Sequence, residues 1–248
     1  MRSFLVIATI MVLAVSGCLE DLKEDLVSCE NLTGACRYEI LRSDDYSRLH
    51  IEINYVTEYS PDSDAVDLLK QRIQETTDKT SVSVSQNAFG STDSSYSLEE
   101  IIAIEKEQRE RYKSGNTFII HILYLNGEYE DNDQTLGLAY KGSSFVIFKE
   151  AVEDAVPFGG FSRISAEDIE KSVIVHEYGH LVALVNNGYE SPHDHEDPDH
   201  PNHSNNDESV MYWAIESQDI ANQIDGEPPN NFDSNDLDDL KLMKEGKL

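Results

Sequence analysis

His176-Glu177-Tyr178-Gly179-His180 constrains this chain more than any other five residues in it. Histidines four apart lie on one face of an α-helix, so both imidazoles can reach one metal ion. Glu177 follows the first of them, where it can take a proton from a metal-bound water. One short motif thus supplies two ligands and a general base. The helix is marked independently of the motif. Ser165-x-x-Asp168 resembles a capping box, Val173, Ile174 and Val175 continue the apolar face, and Asn186-Asn187-Gly188 is a C-terminal stop. A helix running from this cap to Gly188 is expected. Gly179 within it costs up to ~1 kcal/mol relative to alanine, which a close approach by another segment would explain.

A catalytic zinc takes three protein ligands and keeps one position open. Six of the eight histidines lie between 176 and 203. Candidates for the third ligand are His193, His195, His200 and His203, or a carboxylate such as Glu216, and spacing alone does not choose among them. His50 and His121 each sit alone in a strand pattern and read as structural residues.

The run from His203 to Met211 places a histidine eight residues before a methionine. With the helical motif, this resembles the metzincin zinc metallopeptidases. Their motif is H-E-x-x-H-x-x-G-x-x-H, followed by a tight turn that holds a methionine beneath the metal. The likeness extends to the archaemetzincin-type ending H-C-x-x-x-x-C-x-M, with serine here at both cysteine positions, 204 and 209. The resemblance implies Zn²⁺ held by His176, His180 and His203, with Met211 as the Met-turn residue. It implies peptide-bond hydrolysis by a zinc-bound water with Glu177 as general base. It also implies an upper-rim edge strand that binds extended peptide, for which Leu136 to Tyr140 is the candidate. Tyr178 and Tyr212 are candidate further donors, although packing is the ordinary role of a tyrosine beside a core turn.

The pattern has departures. Ala183 and Asn186 stand where the helix-breaking glycine and the third histidine normally fall. An insertion of roughly Asn187 to Asn202 then separates the helix from His203. Such an insertion is tolerable because loop-closure entropy grows slowly with length. His195 and His200 stay open as alternative third ligands, and Glu216 would serve in a gluzincin-like arrangement. The C-terminal Cys-x-x-Cys of archaemetzincins is absent, so a second, cysteine-bound zinc is not expected. The His/Asp-rich loop around 193–200 reads either as a solvated acidic loop or as a second metal site, for zinc or calcium.

The N-terminus reads as an export signal. Arg2 precedes the apolar run Phe4 to Val15, 12 residues long, which suits a signal peptide and is short for a membrane span. Val15-Ser16-Gly17-Cys18 resembles a lipobox, which implies cleavage after residue 17 and lipid on Cys18. Cys29 and Cys36 remain, and outside the cytoplasm such a pair is expected to form a disulfide. With 48 acidic against 19 basic residues and a net charge of −29, binding to nucleic acid or to an anionic membrane through charge is not expected. Membrane contact would run through the lipid alone.

Elsewhere the chain alternates strand and helix signals. Strands are expected at His50–Val56, Thr80–Ser85, Thr117–Leu125, Leu136–Tyr140 and Ser144–Phe148. Helices are expected over Asp64–Thr77, from the Ser97-x-x-Glu100 capping box to near Gly115, and over Asn235–Glu245. This order gives an α/β (α+β) fold, a mixed twisted sheet backed by helices. The expected division is a signal peptide at 1–17, a lipidated tether at 18–48 and a metallopeptidase domain at 49–248. That domain divides into an upper part (49–188), the insertion (189–202) and a lower part with Met-turn and small C-terminal subdomain (203–248). The expected function is an exported, lipid-anchored zinc endopeptidase acting on peptide or protein. The alternative is a metal-binding or metal-delivery lipoprotein without hydrolytic activity. Glu177 separates the two, since a metal carrier has no need of it.

Overall fold

The computed structural model describes residues 28–156, 164–224 and 226–248. The N-terminal apolar run and Cys18 lie outside the described residues. Among the described residues nine strands form: β1 (Arg48–Val56), β2 (Ser81–Phe89), β3 (Ser95–Tyr96), β4 (Thr117–Leu125), β5 (Glu128–Tyr129), β6 (Gly137–Lys141), β7 (Ser144–Phe148), β8 (Glu196–Asp197) and β9 (His200–Ser204). Five of them make the main sheet, in the order β2-β1-β4-β7-β6. β2, β1, β4 and β7 run parallel, and β6 returns antiparallel to β7 at the edge. The near-continuous apolar sequence of β4 has its counterpart in the structure, because the strand pairs on both sides and is buried from Phe118 to Leu125. The serine-rich β2 is mostly exposed, as an edge strand can be. The fold is a mixed α/β architecture whose twisted, mostly parallel sheet is backed by helices.

Helix starts follow the side-chain caps. Asp62 caps the helix Ser63–Thr76, and reciprocal capping boxes open Leu98–Gln108, Ala166–Leu181 and Ser234–Lys244. Helix ends differ from the sequence expectation. The helix after Ser97 stops at Gln108 and not near Gly115. Beyond it, the buried carboxylate of Glu52 accepts the backbone N–H of Glu110 at 2.7 Å and of Arg111 at 2.8 Å, which draws the chain off the helical path.

The motif helix, Ala166–Leu181, ends seven residues before the expected Gly188. Ala183, Val185 and Asn186 adopt left-handed conformations, at φ 66°, 56° and 61°. The N–H of Ala183 turns back to the His180 carbonyl at 3.0 Å, and that of Leu184 to the Gly179 carbonyl at 3.0 Å. This winding buries Val182, Ala183, Leu184 and Val185 together, which a regular helix on the protein surface would not. So the break falls at Ala183, where the metzincin pattern has glycine. The helix is fixed along its length. Glu170 pairs with Lys149, and Tyr178 shares a hydrogen bond of 2.8 Å with Thr76 of the neighbouring helix.

The inserted segment is a small antiparallel hairpin, β8 and β9, rather than a plain loop. Asn186 fastens its base, donating to Glu196 and accepting from the Ser191 N–H, both at 2.8 Å. Near the other end of the described chain, Cys29 and Cys36 are joined by a disulfide. The short segment it closes lies against β6. Thr33 Oγ1 donates to the Ala139 carbonyl at 3.1 Å, and the Gly142 N–H donates to the Glu30 carbonyl at 2.9 Å.

Candidate metal centre

The last turn of the motif helix points His176 and His180 at one spot, their Nε2 atoms 3.0 Å apart. β9 brings His203 over them, its ring stacked on His176 at 5.2 Å between centroids. A 3-10 turn, Trp213–Glu216, adds Glu216, whose carboxylate lies 3.6 Å from His176 Nε2 and 3.5 Å from His203 Nε2. The donor atoms of these four residues all lie within 4.8 Å of one another. Two donors held at ~2.1 Å by a tetrahedral ion stand ~3.4 Å apart, so these spacings suit a single zinc.

Ring orientation supports the same reading. His176 donates Nδ1–H to the Val210 carbonyl at 2.7 Å, and His203 donates Nδ1–H to the Pro201 carbonyl at 3.1 Å. Each bond fixes the tautomer that leaves Nε2 bare toward the cluster, the hydrogen bond by which a backbone carbonyl orients a metal-binding histidine. His203 Nε2 is buried and has no hydrogen-bond partner. Burial and the neighbouring rings of His176 and His203 hold His180 well below the usual histidine range, against the pull of Glu216, so it is neutral and able to ligate.

Met211 lies below the motif helix, fully buried, and Gly179 is the reason it fits. A Cβ at residue 179 would stand 2.2 Å from Met211 Sδ and 3.2 Å from Phe232 Cε1. The helix glycine that costs helical stability is thus the seat of the methionine. Gly137, the first residue of β6, plays a like part on the other side. A Cβ there would stand 2.5 Å from Glu177 Oε1 and 2.8 Å from Val173 Cγ1. Sequence reasoning missed Gly137, although a glycine at the start of an expected edge strand was a signal for a close backbone approach.

Glu177 is fully buried, and neither carboxylate oxygen has a hydrogen-bond partner. Burial first, and then the negative charge of Glu216, push its pKa well above the usual carboxylate value. The Ala139 backbone N–H pulls weakly the other way without satisfying either oxygen. Partial burial would also raise Glu216, but its attraction to His176 and His203 wins and holds it well below the usual range.

The other candidates lie elsewhere. His200 stacks on Trp213 at 4.2 Å and bonds Asp197 at 3.0 Å, so it is not a third donor. His195 is buried against Asp236 and Asp239, outside the cluster. His193 bonds Asp238 at 2.8 Å. Tyr178 is committed to Thr76 and is not available as a donor to substrate. His50 sits between Ser83 and Ser85, and His121 bonds Asn54, both as structural residues of the sheet. A cavity of about 710 Å³ lies beside Arg48, His50, Arg111 and Lys113 and includes none of the cluster.

No family model matches the chain, and no curated protein does. Solved structures do. Archaemetzincin from Methanopyrus kandleri superposes with a TM-score of 0.50 at 13% identity, over 80% of this chain and 95% of that one. Archaemetzincin from Archaeoglobus fulgidus gives 0.42 at 13% identity, over 76% and 98%. Metalloproteinase-II from Bacteroides fragilis gives 0.47 at 12% identity, over 82% of this chain and 55% of that one. At such identities the likeness speaks for the fold. The fold of this chain is of the archaemetzincin type.

Proposed function

We propose that this chain is a zinc-dependent peptidase, with His176, His180 and His203 as ligands, Glu177 as general base and Met211 as the floor of the site. The observation that carries the reading is the carboxylate of Glu177. It is buried without a partner, next in sequence to His176 and against the strand β6. Burying an unpaired carboxylate costs several kcal/mol, and a purely structural metal site gains nothing from it. Bound zinc would lower the pKa of a coordinated water to about 7 and polarise a carbonyl. Glu177 takes the proton of the attacking water and passes it to the leaving amine. The carbonyls of Val210 and Pro201 keep the His176 and His203 rings aimed.

β6 is the natural cradle for an extended peptide, paired antiparallel along the sheet edge above the cluster. The Thr33 and Glu30 contacts occupy that edge at Ala139 and Gly142, so a peptide running its whole length displaces them. Export and a lipid anchor on Cys18 belong to the same proposal. They rest on the N-terminal sequence and are tested by mass spectrometry of the mature N-terminus.

The deciding experiment is Glu177→Gln. It should abolish cleavage of a diverse peptide library and leave zinc content unchanged. Residual cleavage near the wild-type rate would reject Glu177 as the base. One observation favours the alternative, a metal-binding or metal-delivery lipoprotein. Glu216 stands where a fourth protein ligand would close the site, and closed four-ligand sites are structural. A wild-type protein that holds zinc and cleaves nothing would support that reading.

A further inference from the structure

Apart from the cluster above, a second group of donors lies where the insertion meets the helix Ser234–Lys244. His195, from the insertion, is 1% exposed, and Asp236 and Asp239, one helical turn apart, are both 0% exposed. His195 Nε2 lies 3.2 Å from Asp239 Oδ2, and its Nδ1 lies 3.6 Å from Asp236 Oδ1. Asp233, the cap of that helix, completes a group with His195 and Asp236 whose ligand atoms lie within 4.8 Å of one another.

Most polar atoms here are accounted for. Asp239 accepts from Tyr189 at 2.8 Å, Ser191 at 2.9 Å and His195. Asp236 Oδ2 accepts from Ser209 at 2.6 Å and from the Asp233 N–H at 3.1 Å. Asp233 Oδ1 caps the helix, and its Oδ2 accepts from Asn206 at 2.8 Å. Two atoms are left with no hydrogen-bond partner, His195 Nδ1 and Asp236 Oδ1. They face each other in the interior. Leaving both unsatisfied would carry the desolvation penalty of two buried polar groups, the larger for the carboxylate.

Their separation of 3.6 Å is beyond an N–H···O hydrogen bond. It is close to the ~3.4 Å between an imidazole nitrogen and a carboxylate oxygen on one tetrahedral zinc. The other ring nitrogen already donates to Asp239, which is the carboxylate–histidine–metal relay seen around protein zinc. If Nε2 carries the proton, Nδ1 presents a lone pair to a carboxylate, and a cation between them removes the conflict.

We propose that His195, Asp236 and Asp233 bind a second divalent transition-metal ion, with Asp239 orienting the histidine. The imidazole excludes an all-oxygen calcium site and suits zinc, with water completing the shell. This metal is no part of the catalytic reading, and no cysteine takes part in it. Its role is to pin the insertion to the C-terminal helix. The His195 carbonyl accepts the Asn205 N–H at 2.8 Å, two residues after His203, so the pin also steadies the third ligand of the first cluster.

The test is zinc stoichiometry of the full chain by elemental mass spectrometry, after dialysis against buffered free zinc. Wild type should hold two zinc ions. His176→Ala/His180→Ala should keep one, with an X-ray absorption signature of one nitrogen and two or more oxygen ligands from the protein and water. At saturating free zinc, Asp236→Asn and His195→Ala should each lose one ion and keep the other, which His195→Ala holds less tightly. Asp239→Asn is the milder variant, since it keeps the size of the side chain and one of its two acceptor oxygens. It should weaken the second zinc ~10- to 100-fold without abolishing it. If His176→Ala/His180→Ala is folded by circular dichroism and holds no zinc, the proposal is overturned, and a buried imidazolium between two carboxylates explains the group. If wild type holds a single zinc and that double variant still holds one, the second site stands and the first cluster fails as a zinc site.

Discussion

Replacing Gly179 by alanine sets two effects of known sign against each other. At an ordinary helix interior the change stabilises by about 1 kcal/mol. Here the new Cβ would meet Met211 Sδ at 2.2 Å, Met211 Cε at 3.1 Å and Phe232 Cε1 at 3.2 Å. Carbon contacts settle at about 3.5–4.0 Å, so the sulfur must retreat by roughly 1.5 Å. Met211 is fully buried, and overpacking of this kind costs about 1–3 kcal/mol. The net effect is a loss of up to ~2 kcal/mol, or up to ~8 °C in Tm for a chain of this size. The retreat also disturbs Val210, the residue before Met211, whose carbonyl holds His176 at 2.7 Å. Zinc affinity at the first cluster should therefore fall about 10- to 100-fold, as it does when the hydrogen-bond partner of a metal-binding histidine is lost. Thermal melts of zinc-loaded protein and a zinc competition titration read the two effects separately. A variant that melts 2–4 °C higher with unchanged zinc affinity would refute the argument.

Gly137→Ala should push the Glu177 carboxylate aside, since the new Cβ would sit 2.5 Å from Oε1. A fall in kcat on the order of 100-fold at constant zinc content is expected, and an unchanged kcat would separate β6 from the chemistry. His203→Ala should lose zinc from the first cluster while Glu216→Ala keeps it, and loss in Glu216→Ala alone would overturn the ligand assignment. For pH dependence, Glu105 is the telling group. It is buried, which would raise its pKa, but Lys141 and Ser144 bond to it and hold it down at about 2. Because the folded pKa lies below the unfolded one, its contribution is complete above about 4.5 and is lost as pH falls toward 2, on the order of 3 kcal/mol. Urea unfolding between pH 6 and pH 3 should show this decline in wild type and a shallower one in Glu105→Gln.

The five strands of the main sheet and the starts of the four long helices were legible in the sequence because their signals are local. A nine-residue apolar run such as Thr117–Leu125 can only be a doubly buried strand here, and Ser165 with Asp168 closes its capping box within one turn. Helix ends were less legible because tertiary contacts decide them. Glu52, on β1, captures the amides at 110 and 111. The left-handed turn at Ala183 depends on Gly34, where a Cβ would come within 2.9 Å of the Ala183 Cβ. Neither partner is near in sequence. The same holds for the cluster. His176, Glu177 and His180 are fixed by helical periodicity, whereas the buried state of Glu177 and the arrival of Glu216 follow from how β6 and the 3-10 turn pack.

The third histidine shows why a long insertion need not disturb such a site. In the uninterrupted pattern the third ligand follows the helix directly, so its place depends on the chain leaving His180. Here His203 is placed from the other side. The Ser204 N–H bonds the Met211 carbonyl at 2.8 Å, Ser204 and Tyr212 form a parallel bridge, and the Val210 carbonyl of the same turn holds His176. The turn around Met211 therefore positions two of the three histidines, and the length of chain between residues 187 and 202 is free to vary. What that segment must still do is hold its hairpin in place, and its buried hold on the C-terminal helix is His195. Removing the His195 side chain should thus loosen His203 without touching it, and a fall in first-cluster zinc affinity in His195→Ala, with His176 and His180 intact, is the consequence to measure.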